Sequence, residues 1–343
     1  MGSVGSLLSV DVGHNVVAPY GSFNYHSGAI SVGGSVRYNI DSVRGTARED
    51  GPGNTRFVDF DGNGVPSSFA ETNVTFIPTG VPDLVHYTVR NLSWSLGVNW
   101  RVAEDISAFA RYSKGGRSGA DRILTSAAIN KITGELINPA VGKDQVRQAE
   151  AGFKFRRPGI MINATGFYAT TSESNNQLIT SGTTSSYVLV QRSYRAYGAE
   201  FEANVRRGPF SLNAGATVTH AEITAAPGQP GLVGKNARHQ PALIFQLTPE
   251  YDSGPVTVGA SIVGTTGSYA QDVNQLRLPG YTTVGLFARV RPVERLELGL
   301  NVSNLFDKLA VVSVLDGTIP ATGVTIGNTL AGRRASASVR VYF

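Results

Sequence analysis

Residues 333–343, the last of the chain, read RRASASVRVYF. Ala335, Ala337, Val339, Val341 and Phe343 form one beat of an alternation, and Ser336, Ser338, Arg340 and Tyr342 form the other. A period of two sets the two groups on opposite faces of a β-strand. Chain ends are ordinarily polar and frayed. Here the alternation persists to the final residue, as expected of a strand paired within a sheet.

The same period recurs upstream. Phe210, Leu212, Ala214, Ala216 and Val218 alternate with Ser211, Asn213, Gly215, Thr217 and Thr219. Leu296, Leu298, Leu300 and Val302 alternate with Glu297, Gly299, Asn301 and Ser303. Trp94, Leu96, Val98, Trp100 and Val102 do so with Ser95, Gly97, Asn99 and Arg101. Further segments lie near 18–26, 30–40, 106–112, 148–156, 160–170, 197–206, 243–251, 256–262 and 282–290. The pattern predicts about 13 strands, and about 14 if 6–12 adds another. Helical periodicity is almost absent.

The connections alternate as well. Tight links rich in Gly and Pro fall at 26–29, 103–105, 156–159, 206–209, 252–255 and 291–294. Between them come longer polar connections near 43–83, 118–143, 175–185, 224–239, 270–278 and 308–330. Aromatics gather beside the tight links: Tyr25, Trp100, Phe155, Phe210 and Tyr251. Short turns at one end, long loops at the other and aromatic belts between them predict an all-β, antiparallel transmembrane barrel. A soluble β-sandwich also alternates apolar and polar faces, but its strands are shorter than the stretches 85–103 and 186–206.

Composition agrees with a two-faced sheet. Of 343 residues, 41% are hydrophobic and only 16% charged, while glycine contributes 40; typical globular chains carry about a quarter charged residues. The net charge of +5 is scattered, with no basic stripe of the kind nucleic-acid binding needs. Cysteine is absent, which removes disulfides and thiolate metal sites. The opening MGSVGSLLSV lacks the basic and apolar regions of a signal peptide.

Several segments are similar to those of TonB-dependent outer-membrane receptors. LGLNVSNLFDK (298–308) resembles the family's penultimate-strand motif. QAEAGFKF (148–155), YGAEFEANVR (197–206) and LPGYTTVGL (278–286) resemble three of its strand motifs, and RRASASVRVYF its ending. The resemblance implies energised uptake of a scarce nutrient, such as a siderophore–iron complex, cobalamin or a glycan, across a Gram-negative outer membrane. It implies outer-membrane lipid, the barrel assembly machinery, a plug domain, the TonB complex and a small-molecule nutrient as partners. Tyr342 and Phe343 take the place of the assembly signal. Family barrels have about 22 strands around a plug. The expectation for residues 1–343 is therefore the C-terminal part of such a barrel, without plug, TonB box or signal peptide and not competent alone. A passive pore of about 14 strands and a soluble β-rich binding module are the alternatives.

No catalytic constellation emerges. His14, His26, His86, His220 and His239 show no metal-ligand spacing, and neither G-x-S-x-G nor a phosphate loop occurs. Asp59, Asp61 and Asn63, followed by Gly64, resemble the first half of a calcium loop. Its twelfth position is Ala70, with Glu71 one residue late, so a polar turn-rich loop is the favoured reading and calcium the sole cofactor candidate. Glu200 and Glu202 fall on the polar beat and are expected to face the lumen. Arg37, Arg101, Arg147, Arg156, Arg289 and Arg340 are placed there with them, a set that would suit an anionic substrate.

Overall fold

A computed structural model describes residues 7–57, 72–78, 82–119, 128–181, 184–314, 317–319, 321 and 323–343. The edge begins with β1 (Leu7–Val17) and β2 (Tyr20–Ser27), followed by β3 (Ile30–Phe57), β4 (Thr72–Pro78), β5 (Asp83–Arg101) and β6 (Ile106–Ser118). The middle holds β7 (Lys143–Arg157), β8 (Ile160–Ser181), β9 (Thr184–Arg207) and β10 (Phe210–Ala225). Then come β11 (Leu243–Asp252), β12 (Val256–Thr265), β13 (Ser268–Tyr269), β14 (Arg277–Leu278), β15 (Tyr281–Val293) and β16 (Leu296–Ser303). Last are β17 (Val311–Val314), β18 (Gly327–Thr329) and β19 (Arg334–Val341). The hydrogen-bonded order is β1-β3-β5-β6-β7-β8-β9-β10-β11-β12-β15-β16-β19. β2 and β4 pair β3, while β13–β14 and β17–β18 form small separate ladders.

Thirteen strands thus stand along the main path among the described residues, and the predicted extra strand at 6–12 is not a fourteenth. β1 pairs Val17 to Leu7 against Ile40 to Asp50, and β2 pairs Tyr20 to Ser27 against Arg37 to Ile30. The two are halves of one edge strand, interrupted at Pro19, which has no amide hydrogen for the ladder. Two expected loops are also largely strand. β3 continues to Phe57, and β8 with β9 pairs down to Ser181↔Thr184.

The chain divides into two compact units. Unit 1 comprises 1–19, 38–91 and 117–143. Its core is Val43, Val85, Tyr87, Val89, Ile129 and Val141, all at most 5% exposed. The segment 128–142 is tied to β5 by Leu84 N donating to Lys131 O (3.0 Å) and His86 N to Gly134 O (2.8 Å). Gly134 stands at φ 75°, where a Cβ would lie 2.5 Å from His86 N. A side chain there would break the contact.

Unit 2 comprises 20–37, 92–116 and 144–343. Register fixes its faces, because residues directly opposite in an antiparallel pair share a side. Phe201 aligns with Ala164 and Ala216, and Leu300 with Ala288 and Ala337. That side carries the apolar beat, and its Leu, Val and aromatic side chains are widely exposed. Glu200 aligns with Thr165 and Thr217, and Arg340 with Glu297, on the polar side. A widely exposed apolar side opposite a polar side is not the pattern of a water-soluble core. Along β9 the apolar side runs from Arg207 to Tyr197, eleven residues whose ten steps rise about 23 Å in a strand tilted by about 45°. That matches the apolar height of a bilayer.

Candidate functional site

On the polar side the sequence-predicted residues occupy separate levels. Glu202 accepts from Asn163 Nδ2 (3.1 Å), and Glu200 lies two residues before it on β9. Arg289 lies toward the turns and donates to Thr257 Oγ1 (3.1 Å), with no ion pair to either glutamate among the described residues. Arg101 Nη2 reaches Gly28 O at 3.5 Å, and Arg37 stands opposite Tyr20. Arg147 is misplaced by the sequence reading. It aligns with Thr170 and so shares the side of Ala149 and Tyr168, because it sits one residue off the polar beat of Gln148, Glu150 and Lys154. Asp59, Asp61 and Asn63 lie outside the described residues. Among the described residues, no group of three or more His, Asp or Glu could hold a metal ion.

Glu297 is a centre the sequence reading passed over. It is buried and gathers Arg291 (Nε to Oε2, 2.8 Å), Arg340 (Nη1 to Oε1, 3.5 Å) and the Tyr342 hydroxyl (3.4 Å). The polar beat placed it on the right side. The convergence of three partners depends on the β15–β16–β19 register, which no local pattern shows.

The loop end of unit 2 holds a second unforeseen site. Arg192 and Asp272 are both 4% exposed, with Nε and Oδ2 3.6 Å apart. Arg192 also donates to Gln229 Oε1 and, at 2.9 Å, to Gln191 O. Asp272 Oδ1 accepts from Arg238 N (3.4 Å). Asn274 Nδ2 donates to Asn236 O (2.9 Å) and Gln271 O (3.0 Å), and Lys235 Nζ to Val273 O (2.7 Å). These bonds pin the connections 226–242 and 270–276 together. Ile223, Ala226 and Leu232 form an apolar cluster beneath them, flanked by Tyr194 and Val273. Tyr194 lies beyond the bilayer-height stretch of β9. Burial, then the carboxylates of Asp272 and Glu173, hold its phenol above the ordinary range against the opposing Arg238 and Arg192. Burial and then Arg238 push the His239 imidazole below its ordinary value, with Asp272 opposing. The arrangement holds two loops in a fixed position over the strand ends.

Compared with known proteins, the sequence matches the family model "TonB dependent receptor-like, beta-barrel" over residues 4–305. No curated protein matches it. Among solved structures, the ferric yersiniabactin uptake receptor FyuA from Yersinia pestis superposes with a TM-score of 0.73 at 16% identity, over 98% of this chain and 47% of that one. The copper transporter OprC gives 0.72 at 15% identity, over 97% and 50%. The closed form of the ferric-catecholate import receptor Fiu from E. coli K12 gives 0.68 at 15% identity, over 97% and 45%. The chain spans about half the length of the structures it matches.

Proposed function

Because this chain belongs to the TonB-dependent receptor β-barrel family, we propose that it forms part of the wall and loop surface of an outer-membrane channel for a scarce nutrient. The family consists of transporters and receptors of Gram-negative outer membranes, not of enzymes. The observation that carries the reading is the division of unit 2 into an apolar side of bilayer height and a charged side bearing Glu200, Glu202, Arg289 and the Glu297 cluster. Substrate would meet the pinned loops first and then pass along the charged side. A plug domain pulled by the TonB complex would open the path. The substrate class is a metal chelate, in keeping with the ferric and copper cargoes named for FyuA, Fiu and OprC.

The test is accumulation of radiolabelled ferric chelates, cupric ions and cobalamin by cells lacking only this protein. Loss of one TonB-dependent uptake is expected. Unchanged uptake across the panel would reject the reading.

A further inference from the structure

Arg147, which the alternation does not place on the polar side, belongs to a row. Trp94 aligns with Lys114, Arg147 with Thr170, Thr170 with Arg195 and Arg195 with Glu222. A Cβ on Gly115 would stand 3.3 Å from Val146 Cγ1, and one on Gly152 2.8 Å from the Phe109 ring. These neighbours, with Arg156 N donating to Asp105 O (2.9 Å) and Gly119 N to Gly142 O (2.8 Å), place Lys114 opposite Arg147 in the β6–β7 register. Three basic residues and Trp94 therefore lie along one line across five strands, on the apolar side. Strands stand about 4.8 Å apart, so Lys114 and Arg147 are within reach of one group, and Arg195 is two strands farther on.

Glu222 engages Arg195, and His220 Nε2 lies 3.4 Å from the same carboxylate. Lys114 and Arg147 make no ion pair among the described residues. One row toward the turns, Tyr112, Tyr168 and Tyr197 mark the level where aromatic side chains meet the lipid headgroups. Beneath them lies an open groove of about 1000 Å³. Its floor is Ala110, Ala149, Ala151, Gly166 and Ala199, and Leu96 and Val218 rise beside it. Two cations, without carboxylate partners among the described residues, thus sit at the headgroup end of an apolar trough. On the same side, β11, β12 and β15 end in Leu243, Gly264 and Thr282, so the basic row is local to β6–β9.

We propose that Lys114 and Arg147 bind the phosphate of an anionic lipid in the leaflet on the loop side, whose acyl chain lies in the groove. This rests on the membrane-spanning reading above. A phosphate offers acceptors to both side chains, and Arg147 can take it through two parallel N–H donors. A zwitterionic headgroup brings its own cation and gains less. Arg195, held by Glu222, borders the site and stays out of it.

Tryptophan makes the test direct, since Trp94 and Trp100 are the only two in the sequence. The full chain carrying Trp100→Phe is reconstituted into phosphatidylcholine bilayers. A minor fraction of the lipid is replaced by phosphatidic acid or phosphatidylcholine with brominated chains, which quench tryptophan on contact. Brominated phosphatidic acid is expected to quench Trp94 more strongly, with local enrichment of roughly five-fold for each unpaired cation. Lys114→Gln with Arg147→Gln should make the two lipids equal, and a Trp94→Phe chain reporting from Trp100 should show no preference. Equal quenching in the parent, or a preference that survives the double substitution, overturns the lipid site. Absence of quenching by either lipid overturns the membrane-spanning reading as well.

Discussion

Leu296, Leu298 and Leu300 form a ruler for bilayer depth. All three lie on the apolar side of β16. Leu298 is flanked by Val290 and Val339, and Leu300 by Ala288 and Ala337. Leu298 and Leu300 are 41% and 52% exposed, so each meets its surroundings rather than a packed core. Two residues along a strand tilted by about 45° descend about 4.7 Å. With Leu296 at the turn end, Leu300 lies about 9 Å deeper, close to the middle of an apolar band about 25 Å tall. Arginine costs about 2–4 kcal/mol at the midplane and about 0–1 at the interface. Leu296→Arg should therefore cost about 0–1 kcal/mol, Leu298→Arg about 1–2, and Leu300→Arg about 2–4. The last is a loss of roughly 30- to 1000-fold in the folding equilibrium. Asn301→Arg, one residue on but on the polar side, should cost under about 0.5 kcal/mol. Denaturant titration of the chain refolded into lipid vesicles reads all four. A flat series, or Asn301→Arg matching Leu300→Arg, would refute both the depth and the assignment of faces.

Three further outcomes follow from the same structure. Asp272→Asn strands the buried Arg192 charge, and breaking such a pair costs about 3–5 kcal/mol, so hydrogen exchange in 226–242 should accelerate while that of β16 does not. The depressed His239 favours the neutral imidazole in the folded loops. Its contribution is present above the unfolded value of about 6.5 and is lost as pH falls from there toward the lower folded value. Exchange in 226–242, corrected for its intrinsic pH dependence, should rise on acidification through that window, and His239→Gln should flatten the response. In plain buffer without detergent the chain should aggregate through its exposed apolar side, and a monodisperse β-rich monomer by light scattering would falsify the bilayer assignment.

The wall of the sheet was legible in the sequence because lipid on one side and water on the other impose a period of two at every residue. Leu298 and Asn301 could be assigned to opposite faces from their parity alone. That logic fails where the surroundings change. Val43, Val85, Tyr87 and Val89 occupy beats that would be polar within a bilayer-height stretch, yet they are buried, because the segment 128–142 packs over them within unit 1. Ile223 is buried for the same reason under 226–232. Residues 43–57 and 175–181 read as loops since their sequence is polar and breaks the period of two, although the backbone carries the strands on through them. Arg192, Gln229 and Asp272 lie far apart in the chain and meet only through loop packing, so no spacing rule joins them.

The strand order carries a consequence for how the chain is built. From β5 to β12 every strand bonds its sequence neighbours, so the wall has low contact order and each turn can close before the next strand exists. Its modular unit is the hairpin. Inserting or deleting one hairpin changes the perimeter by two strand spacings, about 9.6 Å, and leaves every other turn and loop on its own side of the membrane. Circumference can therefore drift through duplication while the polarity of the remaining wall stays intact.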